Sequence, residues 1–210
     1  MMSEIIQGSP EWRQSRCGKA TASRIADIVA KTKSGPSASR ANYLAQLVAE
    51  RLTNQPTEGF KSPAMQHGTE TEPLARMAYE MATGELVTEV PMIDHPTIPM
   101  SGASPDGLVG KDGLVEIKCP NTATHIETLI ADKVPTKYIP QIQWQIACTG
   151  RAWCDFVSYD PRMPEDMQLF IKRVERDDAL IAELEGEVTQ FLEEVAATVL
   201  KLIEIKRGAK

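Results

Sequence analysis

The chain has 210 residues, 42% of them apolar and 25% charged, which excludes wholesale disorder and is enough for one large domain. No apolar run approaches the roughly 20 residues that span a bilayer, and the opening MMSEIIQGSPEW lacks the basic flank and apolar block of a secretory signal; a soluble, cytoplasmic protein is expected. The formal charge of -6 weighs against a nucleic-acid partner, although a local basic patch outweighs the sum. The cysteines Cys17, Cys119, Cys148 and Cys154 make no Cys-x-x-Cys pair, so reduced, mostly buried thiols are expected rather than disulfides or an iron–sulfur cluster.

In chain order, residues 21–31 (TASRIADIVAK) read as a helix with Thr21 or Ser23 at its cap and Ile25, Ile28 and Val29 on one face. The loop TKSGPSAS precedes a helix over about 39–53 with Leu44, Leu47, Val48 and Leu52 as its stripe. Residues 64–82 are helical; Pro73 inside them fits a first turn, which would start the helix near 72. The period then changes to two. ELVTEVPMI, PMSGASPDGLV and GLVEIK read as strands, the last two around the turn GKDG. Helices follow at 122–132 and 135–150, the second closed by Gly150. AWCDFVSYD and MQLFIKRVER are strands, and 177–205 is a long amphipathic helix with Leu184, Val188, Phe191, Leu192 and Val195 among its apolar positions. No internal repeat or linker interrupts the pattern. It predicts a single α/β domain over 1–210, with a central mixed sheet flanked by helices and the closing helix packed on it.

The stretch SPDGLVGKDGLVEIKCP carries acids and a lysine among apolar residues. Alternation sets Leu114, Glu116 and Lys118 on one, half-buried face and Val115 and Ile117 on the other, buried face. A three-residue loop Lys111-Asp112-Gly113, with Gly113 left-handed, pairs 110 with 114 and sets Asp106 opposite Lys118, on the face of Glu116. A two-residue loop sends Asp106 to the other side. The Asp-Gly pair favours the odd loop, so a convergent Asp106–Glu116–Lys118 cluster is expected. Paired carboxylates repel and lose hydration, which a hard divalent cation relieves. A lysine beside it, its pKa lowered, orients or activates a water for attack on a phosphodiester. On spacing alone, a solvated surface hairpin competes with this reading, because Glu-x-Lys on an exposed strand is common.

These residues resemble the core motif of the lambda exonuclease family, the YqaJ-like viral recombinases, within the PD-(D/E)xK nuclease superfamily. The likeness extends to WRQSRCGKATAS, HGTETEPLAR, YIPQIQWQIACTG and FVSYDPRM, so it runs from about Trp12 to Met163. The resemblance implies a restriction-endonuclease-like fold and processive, Mg2+-dependent 5′-to-3′ digestion of linear duplex DNA. The 3′ overhang left behind would serve a phage single-strand annealing protein. Two Mg2+ ions are implied, with Mn2+ as an alternative, and a homotrimeric ring around the DNA in a bacterial host. By the same resemblance Asp106, Glu116 and the Ile117 carbonyl ligate metal, and Lys118 positions or deprotonates the attacking water. Gln141 holds water or phosphate near the metal, with Tyr138 one turn before it. Counting from Gly68 selects Glu72 over Glu70 as the third carboxylate. Arg16, Ser23 and Ser104 sit at the positions of a 5′-phosphate pocket, where Arg supplies a bidentate grip and hydroxyls supply neutral donors. Lys31, Lys33 and Arg40 flank a loop that either touches DNA or is solvated. His67, His95 and His125 are scattered and read as structural. The competing functions are another PD-(D/E)xK nuclease (RecB-like, a cluster-bearing relative, or a structure-specific endonuclease) and a non-catalytic DNA-end-binding module.

Overall fold

The computed structural model describes residues 5–32, 35–57 and 62–208. Helix α1 (Pro10–Arg16) has Pro10 at its first position and Ser9 Oγ accepting from the Trp12 N–H at 3.1 Å, a standard N-cap. Strand β1 (Ala20–Thr21), a 3₁₀ turn over Ala22–Arg24 and helix α2 (Ile25–Val29) follow, then the small hairpin β2 (Lys31–Thr32) and β3 (Gly35–Pro36). Next come α3 (Ala38–Thr53), α4 (Pro63–Thr83), and the short strands β4 (Val87–Thr88), β5 (Ile93–Asp94), β6 (Ser101–Ala103) and β7 (Gly107–Val109). Strand β8 (Gly113–Lys118), helices α5 (Thr122–Ala131) and α6 (Ile139–Thr149), strands β9 (Trp153–Tyr159) and β10 (Leu169–Glu175), and helix α7 (Asp178–Gly208) complete the chain.

Three expectations change. The helix expected over 21–31 is broken, because Ala20 and Thr21 are drawn into a parallel ladder with Ser101 and Gly102. Ser23 then lies in the 3₁₀ turn, whose cap is Thr21, and caps nothing itself. Helix α4 is continuous through Pro73. Its start is set by Ser62, whose Oγ accepts from the Met65 N–H at 3.2 Å, and packing of Ala75 and Tyr79 on the sheet outweighs the one backbone bond that proline removes. The expected strand over 85–93 is two short strands in different sheets, with Pro91 between them.

The main sheet has the order β10-β9-β8-β7-β4 and is mixed: β8 and β9 run parallel and its other pairs are antiparallel. A second sheet has the order β1-β6-β5. Val115, Ile117, Val157 and Tyr159 meet Ala75 and Tyr79 of α4 on one face of the main sheet. Leu114 and Phe156 meet Ile142 and Ile146 of α6 on the other. The far side of α6, with Trp144 and Cys148, packs into a third cluster with Ile25, Ile28, Leu47, Leu184, Val188 and Phe191. Strand β8 is therefore covered on both faces: Val115 and Ile117 are buried as expected, and the face expected to be half-buried is closed too, with Leu114 fully buried and Glu116 1% exposed.

The hairpin register sets the site. Gly107 pairs with Val115, Leu108 with Leu114 and Val109 with Gly113, so the loop is Gly110-Lys111-Asp112, one residue earlier than expected. Gly110 supplies the left-handed residue at φ +50°. Gly113 instead opens the strand beneath Trp153, where an added Cβ would fall 2.1 Å from the indole ring. The loop is still odd. Asp106 therefore keeps the face of Glu116, but its register partner is Glu116 rather than Lys118.

Candidate active site

The β7 ladder ends at Gly107, which would leave the Ile117 N–H without a strand partner. Asp106 Oδ2 takes it, accepting at 2.7 Å. In an extended strand a residue's N–H and C=O point to the same side, so the Ile117 carbonyl opens into the same gap. From the α6 face, Gln141 and Gln145 donate their Nε2–H groups to the two Glu116 oxygens, at 2.5 and 2.6 Å, and Lys118 forms an ion pair with the same carboxylate. The Lys118 ammonium also lies 5.3 Å from the centre of the Tyr138 ring, which stacks on Phe156.

Glu72 enters from α4. Its carboxylate accepts from Arg76 Nη2 at 3.1 Å, and Arg76 also pairs with Glu89. Glu70, the competing acid, is exposed and bound to Gln66.

The electrostatics are those of crowded negative charge. Burial and then repulsion by Glu116 push the Asp106 carboxyl well above the usual range, against the pull of Lys118. Burial also raises Glu72, opposed by Arg76 and reinforced by Glu116. At Lys118 burial pulls the ammonium down, but Glu116 and Asp106 more than offset it, and the net shift is upward. The lowered lysine expected from the sequence is thus reversed, because the two carboxylates hold the ammonium up. Among the described residues no three His, Cys, Asp or Glu side chains gather as a ready metal cage. What is present is two carboxylates and a carbonyl, hard oxygen donors crowded around a single counter-charge, Lys118. That set fits Mg2+, which takes one or two carboxylates and keeps waters.

Beside this cluster, Arg16 Nη1 and Trp12 Nε1 both donate to Ser104 Oγ at 3.1 Å, and the Arg16 guanidinium lies 4.1 Å from the centre of the Trp12 ring. Burial holds the Arg16 pKa below its ordinary value, opposed by Tyr43 and Glu50. Ser23 is exposed. It lies in the 3₁₀ turn that follows β1, after the parallel register with β6 has ended at Thr21 and Gly102. The structure thus joins Arg16 to Ser104 directly, while Ser23, just past the end of the ladder, makes no hydrogen bond to either among the described residues.

Two contributors were not singled out from sequence. Trp12 was seen only as part of a longer motif, and Gln145 stands one helical turn after Gln141 on the same face, a spacing that would have found it. The flanking basic residues go elsewhere. Lys31 pairs with Glu187 at 2.7 Å, and Arg40, 9% exposed, grips both oxygens of Glu194 at 2.7 and 2.9 Å. Lys33 lies outside the described residues. His125 is fully buried between Ser158 and the Met167 carbonyl, and His95 stacks on Trp144, as structural histidines do.

The model of the YqaJ-like viral recombinase domain matches residues 11–152. The chain belongs to this family. Among solved structures, the alkaline exonuclease LHK-Exo from Laribacter hongkongensis is 56% identical, with a TM-score of 0.90 over 96% of this chain and 100% of that one. LHK-Exo in complex with dAMP gives the same figures. A phage-related exonuclease from Haemophilus somnus 129PT, 14% identical, matches with a TM-score of 0.69 over 88% of this chain and 96% of that one, a likeness of fold. No curated protein matches. Among the described residues no helix is long and apolar enough to cross a membrane.

Proposed function

We propose that this YqaJ-like protein is a Mg2+-dependent exonuclease that digests linear duplex DNA processively from the 5′ end. The 3′ overhang it leaves would serve a single-strand annealing protein. The observation that carries the reading is the Asp106–Glu116–Lys118 cluster at the end of the β7 ladder. It is supported by 56% identity to a protein named an alkaline exonuclease and crystallised with the mononucleotide dAMP.

Asp106, Glu116 and the Ile117 carbonyl would hold Mg2+, with Glu72 toward a second ion. Bound there, the metal supplies charge stabilisation at the phosphodiester and a more acidic water. Lys118, held protonated by its two carboxylates, orients the water and offsets developing negative charge; it accepts a proton only after losing its own. Gln141, bonded to Glu116, would hold water or phosphate near the metal. Arg16, steadied by Trp12, and the hydroxyls of Ser104 and Ser23 would grip the 5′-phosphate. A closed ring of three copies would retain DNA without tight basic binding, which accommodates the acidic net charge.

The test is digestion of end-labelled linear duplex with Mg2+, comparing 5′-phosphate and 5′-hydroxyl ends. Mononucleotides should be released from the 5′-phosphorylated strand. Release from the 3′ end, or cleavage only by internal nicking of closed circles, would overturn the proposal.

A further inference from the structure

Gln145 has no exposed surface. It stands on α6 between Ile142 and Ile146, which pack into the cluster of Leu114 and Phe156. An amide in such a place is costly. Its Oε1 is buried with no hydrogen-bond partner, so an apolar side chain of the same size would suit the packing better. Its Nε2–H has one described use, the 2.6 Å bond to Glu116 Oε2. The orientation of the amide follows from that bond, because the flipped form would set Oε1 against a carboxylate oxygen.

The other Glu116 oxygen, Oε1, is taken by Gln141 and Lys118. A carboxylate has about four lone-pair sites, and these donors fill three, leaving one on Oε2. Gln141 and Lys118 alone would pin the group at one oxygen and let it pivot. Gln145 holds the second oxygen and fixes the plane.

We infer that Gln145 is a positioning residue: it locks the Glu116 carboxylate so that one Oε2 lone pair is presented to the cation. The inference rests on the metal-dependent reading above. Partners that orient a ligand from behind typically matter by about 10- to 100-fold in metal affinity or activity.

The test uses the full chain with Gln145→Met, close in volume and lacking the donor. Mn2+ binding is measured by calorimetry and thermal stability is followed in the metal-free state. The expected result is Mn2+ affinity lower by at least about tenfold, with a metal-free melting temperature equal to or above that of the unsubstituted chain. Asp106→Asn serves as the binding control. If Gln145→Met binds Mn2+ as tightly as the parent while Asp106→Asn does not, the positioning role is wrong and the metal site stands. If Gln145→Met weakens binding only in proportion to a lowered melting temperature, the amide is structural and the inference fails. If the parent itself takes up no Mn2+, the metal-dependent reading fails first and takes the inference with it.

Discussion

At the scale of single residues the site is a charge problem with assigned parts. Lys118 is the sole cation in contact with Glu116 among the described residues, and its loss strips the cluster of its counter-charge. Lys118→Ala should reduce single-turnover cleavage by about 10²- to 10⁴-fold, the usual worth of a positioned proton donor or acceptor, with far-ultraviolet circular dichroism unchanged. Retained activity would remove Lys118 from the mechanism. Arg16→Lys keeps a charge but loses the planar fork; the rate ratio between 5′-phosphate and 5′-hydroxyl ends should fall toward one, and an unchanged ratio would exclude Arg16 from the phosphate pocket. Asp160 offers a titration away from the cluster. Burial raises its carboxyl, but hydrogen bonds from the Arg162 side chain, the Thr122 side chain and the Arg162 N–H outweigh that and hold it at about 2. A depressed acid stabilises the fold above its unfolded value and loses that contribution as pH falls through the folded one. Asp160→Asn should therefore destabilise the protein at neutral pH and flatten the loss of stability between about pH 4 and pH 2, read by denaturant melts across that window.

At the scale of elements, local pattern was enough wherever local forces decide. Helix α7 and strands β9 and β10 form where their apolar patterns set them, and α7 buries Leu184, Val188, Phe191, Leu192 and Val195; in α3 the stripe buries Leu47 and Val48 but leaves Leu52 exposed, and α5 exposes Ile126 and Ile130. The failures are places where distant contacts win. Ala20 and Thr21 are extended because β6, eighty residues away, pairs with them, and no window around them carries that signal. Pro73 stays inside α4 because the sheet holds Ala75 and Tyr79 in the turns that follow it. The hairpin shows a subtler case. The sequence offers two glycines, Gly110 and Gly113, for one left-handed position, and Trp153, forty residues on, selects Gly110 by occupying the space over Gly113. The face parity of Asp106 and Glu116 was legible because both loops are odd; the register was not. Gly113→Ala should cost about 1–3 kcal/mol by overpacking, and Trp153→Leu in the same chain should recover most of it, as a double-mutant cycle by chemical denaturation would show.

At the scale of the whole molecule, α6 is held between two cores. Ile142 and Ile146 face the sheet while Trp144 and Cys148 face the helical cluster with α2, α3 and α7. The site residues that chemistry singled out, Gln141 and Gln145, therefore ride on one of the most enclosed elements. This explains why α6 was read correctly as a helix while Gln145 escaped notice: the apolar stripe is local, but the carboxylate it serves arrives from β8. A chain that binds a divalent ion only when folded gains about 2.7 kcal/mol when the ion is at a hundred times its dissociation constant. Mg2+ should accordingly raise the melting temperature of the parent and leave that of Asp106→Asn unmoved.

The double enclosure of α6 has a consequence for how the enzyme fails. Regions that open on their own are those with few buried contacts, and the helix bearing these amides is not among them. Heat has no route to loosen it without breaking both cores at once. Nuclease activity and the fold should thus be lost at one temperature, with no warm interval in which a folded chain has gone silent.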